Sequence, residues 1–198
     1  MKIELRNISK KFGKNTVFSN ISAIFESPDT VAITGANGRG KSTLLKIISG
    51  YLTPDFGELH YSFSGKAFDI LDASKHISYL APYISFQEDL TLSEIFKLVS
   101  NFRTIIVSEH EFMQEFDLER NKRLSDLSTG MRQRFHLGLC FYQKAEVILL
   151  DEPTAFLDEK WKNKYLGLLQ TFKNERLIIL SSNDPSEYPN FNKIIHLA

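Results

Sequence analysis

Apolar and polar residues alternate over two stretches near the start of the chain, residues 2–9 and 17–25. A period of two is typical of strands with one buried face, and the polar residues at 10–15 between them predict a turn. We therefore expect a small antiparallel sheet in this part of the chain. Further short runs at 58–63 and 77–80 predict two more strands.

Three other stretches, at residues 30–34, 145–151 and 177–182, are mostly apolar and do not alternate. Such runs are typical of strands buried on both faces of a parallel sheet. Apolar residues recur at helical spacing over 44–48 and 159–172, between these runs. The alternation predicts an α/β fold with a mainly parallel sheet flanked by helices on both faces. From 92 to 142 the spacing is helical, which predicts a helical insertion.

A glycine-rich segment joins the strand predicted at 30–34 to the helix predicted at 44–48. It matches the phosphate-binding pattern G-x-x-x-x-G-K-[ST] with the residues Gly35, Ala36, Asn37, Gly38, Arg39, Gly40, Lys41, Ser42 and Thr43. Glycines let the backbone N–H groups point inward at a polyphosphate, where the helix dipole favours negative charge. Lys41 can reach the β- and γ-phosphates, and the Ser42 hydroxyl can ligate Mg²⁺. The alternative is a glycine-rich surface turn, which needs neither the strand nor the helix.

The apolar run that ends at residue 151 places two carboxylates, Asp151 and Glu152, at the carboxyl end of a predicted strand. Open α/β sheets bind their ligands at that end. Asp151 can hold Mg²⁺, directly or through a water molecule, opposite Ser42, and Glu152 can polarise a water molecule for attack on the γ-phosphate. Two acids that simply begin a loop are the alternative, and the phosphate-binding pattern upstream favours the metal site.

Composition restricts the classes of partner. The 198 residues are 42% hydrophobic, and 24 basic residues offset 24 acidic ones, so the chain lacks the positive field that holds proteins on nucleic acid or anionic membranes. We expect one nucleotide-binding domain over 1–198, with Cys140 in its core rather than acting as a nucleophile. No apolar run approaches the roughly 18 residues of a membrane span, and the N-terminus lacks a signal peptide, so a cytoplasmic location is expected.

A short run upstream of the acidic strand resembles a known family. Leu127, Ser128, Thr129, Gly130 and Met131 resemble the LSGGQ-type signature of ATP-binding cassette (ABC) ATPases. The other family motifs follow in the family's order: Phe12 at the adenine-stacking position, the phosphate loop, the signature, Glu152 after the acidic strand, and Asp158 in the D-loop. The resemblance covers nearly the whole chain. It implies a P-loop NTPase core with a small antiparallel β subdomain and a helical subdomain at about 83–142.

The resemblance also implies a head-to-tail dimer, in which each signature closes over the γ-phosphate bound by the other subunit. Thr129 and Met131 replace the commoner Gly and Gln but keep a hydroxyl and leave Gly130 in place, so we expect binding to survive. An ordinary capped helix explains the same segment without a ligand. Phe12 could instead pack against the sheet, and Arg39 is expected to be a solvated side chain rather than a catalytic one.

Two family positions carry different residues. The glutamine expected at the entrance to the helical subdomain falls on Pro82, which has no side chain able to touch Mg²⁺, and the nearest amide, Gln87, stands five residues on. The switch histidine after the last core strand falls on Asn183, an amide that can hydrogen-bond a phosphate oxygen but carries no charge. We therefore expect hydrolysis to be slow or differently coupled.

These features favour the ATPase subunit of an ABC transporter, at the inner face of the cell membrane through separately encoded transmembrane subunits. It would use ATP and Mg²⁺ and dimerise with a second copy or with another cassette, and no nucleic acid partner is expected. Two alternatives stay open: a soluble ABC ATPase that acts on nucleic acid or ribosomes, and an ATP-gated subunit that hydrolyses little. The transported substrate depends on the membrane partner.

Overall fold

The computed structural model describes residues 1–82 and 86–197. The strands in that part of the chain are β1 (Lys2–Phe12), β2 (Asn15–Glu26), β3 (Thr30–Thr34), β4 (Phe56–Phe63), β5 (Lys66–Phe68), β6 (Ile77–Leu80), β7 (Val147–Asp151), β8 (Leu177–Ser181) and β9 (Lys193–His196). The helices are α1 (Lys41–Ile48), α2 (Ile70–Ser74), α3 (Leu92–Phe102), α4 (Glu109–Glu115), α5 (Thr129–Tyr142) and α6 (Glu159–Phe172), with short 3₁₀ turns at Leu124–Asp126 and Pro185–Glu187.

The five strands β6, β7, β8, β3 and β9 pair in that order, and every pair is parallel. Every residue of β7 and β8 is buried, which explains the four consecutive apolar residues in each strand, because a central parallel strand is covered on both faces. The prediction of an α/β fold with a mainly parallel sheet is therefore confirmed.

Successive side chains of the central strands lie in two separate hydrophobic cores, one on each face of the sheet. Ile148 and Leu150 of β7 pack with the helices α3 to α6 on one face, whereas Val147 and Leu149 pack with α1 and the antiparallel sheet on the other. This division follows from the alternation of side chains along a strand. Cys140 lies in the first core with 2% of its surface exposed, where burial raises the pKa of its thiol to about 12. The thiol is therefore neutral at physiological pH.

The second sheet is antiparallel, in the order β2, β1, β4, β5. It confirms the expected antiparallel sheet, but the predicted turn at 10–15 is too long, because β1 continues to Phe12 and pairs there with Asn15 of β2. Gly13, whose φ is 59°, turns the chain in the left-handed region that a tight hairpin requires. Phe12 is thus the last residue of a strand and not part of a loop.

Residues 92–142 form the helical part of the chain, as the apolar spacing predicts. Both α3 and α4 begin with a capping box, in which Thr91 pairs with Glu94 and Ser108 pairs with Glu111. Aromatic rings fill the space between these helices and α5, with Phe112 at ring-centroid distances of 5.0–5.7 Å from its nearest aromatic neighbours. The first residues of the predicted helical subdomain, 83–85, lie outside the described residues.

Within residues 1–82 and 86–197, none of the helices is both long enough and apolar enough to span a membrane.

Candidate functional site

The glycine-rich loop lies between the end of β3 and the start of α1. Gly40, the N-cap of α1, has a φ of 89°, and a Cβ added there would come within 2.4 Å of Val17 and 2.8 Å of Phe18. A Cβ on Gly35 would come within 2.4 Å of the Leu197 carbonyl oxygen. A side chain fits at neither position, so these glycines allow the loop to pack between the two sheets.

Lys41 lies under this loop with only 6% of its surface exposed. Its Nζ atom donates hydrogen bonds to the carbonyl oxygens of Gly35, at 2.7 Å, and Ala36, at 3.4 Å. Buried ammonium groups need such acceptors, because desolvation without them is costly. The positive charge is therefore held inside the loop, while α1 begins without a side-chain hydrogen bond to its first N–H groups.

The acidic end of β7 meets the start of α1. Asp151, 3% exposed, accepts a hydrogen bond of 2.9 Å from the Ser42 hydroxyl at its Oδ1 atom, and the Ser181 hydroxyl of β8 donates to the same oxygen. A hydroxyl and a carboxylate oxygen in contact are hard oxygen donors of the type that Mg²⁺ prefers. The two residues predicted to hold the metal are thus brought together, and Ser181 is a third member that sequence patterns did not indicate.

Glu152 follows Asp151 and turns the chain out of the sheet. Its φ is 49°, a left-handed conformation that costs a non-glycine residue about 1–2 kcal/mol, and its N–H group donates to the Ser181 carbonyl oxygen at 3.0 Å. The side chain is exposed and lines an open groove of about 330 Å³. We call this the phosphate groove; its lining residues are Phe12, Val17, Asn37, Gly38, Gly40, Lys41, Ser42, Thr43 and Glu152.

Phe12 stands at the rim of the phosphate groove with 55% of its surface exposed. The Lys10 ammonium group lies 5.6 Å from the centre of its ring. A ring this exposed is not packed into the core, and it leaves a face available for a planar ligand. Arg39 is also exposed but does not line the groove.

Asn183 follows β8 and contacts the phosphate loop directly. Its side-chain Nδ2 atom donates a hydrogen bond of 3.0 Å to Oδ1 of Asn37. The contact spans 146 residues of sequence, so the fold brings the candidate switch residue to the phosphate groove. Pro82 and Gln87 are both exposed.

The signature residues line a different cavity. Ser128 caps α5 by accepting a 3.3 Å hydrogen bond from the N–H group of Met131, while Leu127 is buried and Thr129 is exposed. The cavity, of about 450 Å³, is here called the signature groove; it is lined by Asp117, Ser128, Gly130, Met131, Arg134, Phe156, Leu157, Asp158, Lys160 and Trp161. Asp158 caps α6 by accepting from the N–H group of Trp161 at 3.0 Å. Among residues 1–82 and 86–197, none lines both grooves.

Two further contacts tie the loop after Glu152 to its surroundings. Gln133 of α5 donates from Nε2 to the Pro153 carbonyl oxygen at 2.8 Å, and Thr154 donates to the buried carboxyl group of Glu187. No local spacing indicates these partners, because they come from helices and turns 20 and 33 residues away.

Comparison with known proteins agrees with this geometry. A family model described as "ABC transporter" matches residues 18–155. The ABC transporter ATP-binding protein YybJ of Bacillus subtilis (strain 168), described as uncharacterized, is 32% identical over 91% of this chain and 85% of its own length. The spermidine/putrescine import ATP-binding protein PotA of Spiroplasma citri is 34% identical over 93% of this chain, which spans 55% of that longer protein. The dimeric post-hydrolysis structure of the ATP-binding cassette MJ0796 bound to ADP and Pi has a TM-score of 0.84 at 23% identity, covering 98% of this chain and 94% of that one.

Proposed function

Because this chain belongs to the ABC transporter family of ATP-binding cassette ATPases, we propose that it is the ATP-binding and ATP-hydrolysing subunit of a transporter. The observation that carries the proposal is the 2.9 Å hydrogen bond from Ser42 to Asp151, which joins the phosphate loop to the acidic strand next to Glu152. We propose a single ABC ATPase domain over 1–198, with a helical subdomain at about 83–142.

In this proposal the phosphate groove binds ATP. Phe12 stacks on the adenine, and residues 35–43 surround the phosphates with backbone N–H groups at the start of α1. Lys41 exchanges its bonds to the loop carbonyls for bonds to phosphate oxygens, which are stronger because both partners are charged. The buried position of its ammonium group supports this role, since little solvent has to be removed from it on binding.

Ser42 and Asp151 would hold Mg²⁺, directly or through water, because their oxygens are already in contact. When bound, the ion would neutralise charge on the phosphate oxygens. Glu152 then accepts a proton from the water molecule that attacks the γ-phosphate. Its exposed carboxylate on the wall of the phosphate groove supports that role.

The signature groove completes the site of another subunit. Ser128 and Gly130 do not line the phosphate groove of their own chain, so a head-to-tail arrangement allows each signature to contact the γ-phosphate bound by its partner. The MJ0796 cassette, which shares this fold, is dimeric in its post-hydrolysis state with ADP and Pi, and this supports a dimer here. The second subunit is a copy of this chain or a different cassette.

Pro82 and Asn183 support slow hydrolysis. Neither residue can supply the amide at the subdomain entrance or the positive charge at the switch that the family uses. One N–H of the Asn183 side-chain amide already donates to Asn37, so a single N–H of that amide is left to donate to a phosphate oxygen. These substitutions favour, as a second candidate, an ATP-gated subunit that binds and dimerises but turns over little.

The partner in this proposal is a pair of transmembrane subunits that hold the chain at the cytoplasmic face of the membrane. The import function in the name of the PotA relative supports a transporter. The balanced charge of the chain counts against a soluble ATPase that acts on nucleic acid or ribosomes.

Two measurements test the proposal. A tagged chain, pulled down from detergent-solubilised membranes of its own organism, should bring a polytopic membrane protein with it; recovery of ribosomes or nucleic acid instead would favour the soluble alternative. Steady-state phosphate release from MgATP separates the hydrolysing subunit from the ATP-gated one, because the latter binds MgATP without measurable turnover.

A further inference from the structure

Glu187 is a buried acid that none of the roles above uses. It lies at the end of the 3₁₀ turn Pro185–Glu187, four residues after Asn183, with 7% of its surface exposed. We propose that Glu187 is a positioning residue, which holds the loop between Glu152 and Asp158 against the segment that carries Asn183. The inference rests on the proposed hydrolytic function and adds a residue to it.

The contact has three parts that fix Glu187 on both sides. The N–H group of Thr154 donates to Glu187 Oε1 at 3.2 Å, and the Thr154 hydroxyl donates to the same oxygen. The backbone carbonyl of Glu187 accepts a 2.7 Å hydrogen bond from the hydroxyl of Tyr165, a fully buried residue of α6. Thr154 is itself 7% exposed, so the pair is closed off from water. Hydrogen bonds in such an environment hold their geometry firmly, since a lost partner is not replaced by solvent.

The loop that Thr154 belongs to needs this support. Glu152 and Phe156 both have left-handed backbones, with φ values of 49° and 65°, and strained residues of this type persist only where the surrounding structure fixes them. A second contact also holds the loop, since Gln133 of α5 donates to the Pro153 carbonyl oxygen at 2.8 Å. The loop is therefore held by contacts to both α5 and the segment that carries Asn183.

The sequence distances are short on both sides of the contact. Thr154 is two residues from Glu152, and Glu187 is four residues from Asn183. A shift of one segment therefore moves the other unless the Thr154–Glu187 contact breaks. The contact therefore fixes the position of the proposed base, Glu152, relative to the proposed switch residue, Asn183.

The test compares turnover with ATP affinity in folded variants. We expect Glu187→Ala and Thr154→Val each to lower kcat about tenfold while KM for ATP stays within twofold, because the phosphate-binding loop is untouched. Thr154→Ser keeps the hydroxyl and should retain kcat within about twofold. The double variant Glu187→Ala/Thr154→Val should have a kcat within twofold of that of the slower single variant, because the two residues share one contact.

Glu146→Gln is the matched control. Glu146 makes a 2.8 Å contact with His76 next to the opposite end of β7, so this variant should lower Tm without changing kcat. Glu187→Gln keeps the size and one acceptor oxygen of the side chain and provides a milder variant if Glu187→Ala does not fold. Its kcat should lie below that of wild type and Glu146→Gln and above that of Thr154→Val.

A purely structural role predicts a lower Tm with unchanged kcat in the folded protein, and that result for Glu187→Gln and Thr154→Val overturns the inference. A loss of ATP affinity equal to the loss of kcat also overturns it. If wild type hydrolyses ATP and Glu152→Gln does not, unchanged turnover in the Glu187 variants rejects this inference alone. If wild type releases no phosphate, both this inference and the proposed hydrolysis fail.

Discussion

The phosphate groove and the signature groove are both built at the start of a helix, yet they differ in how complete they are. At the phosphate groove, the N-cap of α1 is Gly40, which supplies no side-chain hydrogen bond, and the Ser42 hydroxyl donates to Asp151 of the acidic strand. At the signature groove, the first turn of α5 is capped by Ser128, and no residue of the phosphate loop lines the cavity. In the proposed function, the phosphate groove holds the reacting groups of its own chain, whereas the signature groove offers the start of α5 to a second subunit.

The cations of the two grooves differ in the same way. Lys41 is buried and bonded to loop carbonyls, while the Arg134 guanidinium lies in the wall of the signature groove, 4.5 Å from the centre of the Trp161 ring. A buried ammonium is suited to bind phosphate, and a stacked guanidinium is suited to support a surface. In the proposed function, Lys41 therefore binds phosphate, whereas Arg134 packs in the wall of the signature groove.

The largest expected effect concerns Glu152. Glu152→Gln keeps the shape of the side chain but cannot accept a proton, so phosphate release should fall at least about 100-fold while MgATP still binds. The ATP-bound dimer should then accumulate and be visible by size-exclusion chromatography with MgATP. Glu175→Gln, an exposed acid between α6 and β8, is the control and should turn over normally. A Glu152→Gln protein that stays monomeric with MgATP counts against both the base and the dimer.

Lys41→Ala tests whether the buried lysine of the phosphate groove binds ATP. The variant loses a charge-assisted contact worth about 1.5–3 kcal/mol, so MgATP affinity should fall at least tenfold. Titration with a fluorescent ATP analogue measures it, with Lys46→Ala on the same helix as the control. Equal affinity in wild type and Lys41→Ala would mean that residues 35–43 do not bind the phosphates.

Asn183→His tests whether the residue at the switch position limits the rate of hydrolysis. A histidine can become cationic and favour the charged transition state, so turnover should rise about tenfold, equivalent to about 1.4 kcal/mol of barrier. Asn183→Ala should lower whatever turnover exists, and Asn190→His, an exposed asparagine further along the chain, should have no effect. If both Asn183 variants release phosphate at the wild-type rate, Asn183 is not the switch residue.

The last prediction concerns the pH dependence of folding stability rather than activity, and its site is α5. Burial, with a smaller contribution from Arg132, lowers the pKa of His136 in α5 from 6.5 to about 4. Because the folded state disfavours the charged imidazole, this contribution to stability is complete above pH 6.5 and is lost as the pH falls towards 4. Between pH 7 and pH 4.5 this loss is on the order of 2 kcal/mol. The free energy of unfolding, measured with urea at pH 7 and pH 4.5, should fall by that amount more in wild type than in His136→Gln. Equal losses in the two proteins would contradict a lowered pKa of His136 in the folded state.

Sequence patterns predict the elements whose signals are local. The strand over 30–34 and the helix over 159–172 have the predicted bounds, because burial on both faces and helical spacing each leave a continuous pattern. The family, the fold class and the ATP-binding role of the family are confirmed. The roles of the individual site residues stay predictions.

Elements that depend on distant contacts were not predicted. The five-residue helix α2 is held by Arg103, which donates from α3's end to the carbonyl oxygens of Ser74 and Lys75. Strand β9 alternates weakly in sequence and forms by pairing with β3 at the edge of the sheet. The same reason explains the missed site residues Ser181 and Glu187, whose partners lie 30 and 33 residues away in the chain. Local periodicity carries no information on such partners.

The head-to-tail arrangement of the two grooves is tested most directly by mixing two variants, each of which should be inactive alone. Lys41→Ala disables the phosphate groove, and Ser128→Asp keeps a good helix N-cap but places a negative charge where the partner's γ-phosphate would lie. A head-to-tail pair of one chain of each kind contains one intact site, made from the phosphate groove of the Ser128→Asp chain and the signature of the Lys41→Ala chain. We expect the mixture to release phosphate from MgATP faster than either variant alone. A mixture no faster than the mean of its two components would contradict the head-to-tail arrangement.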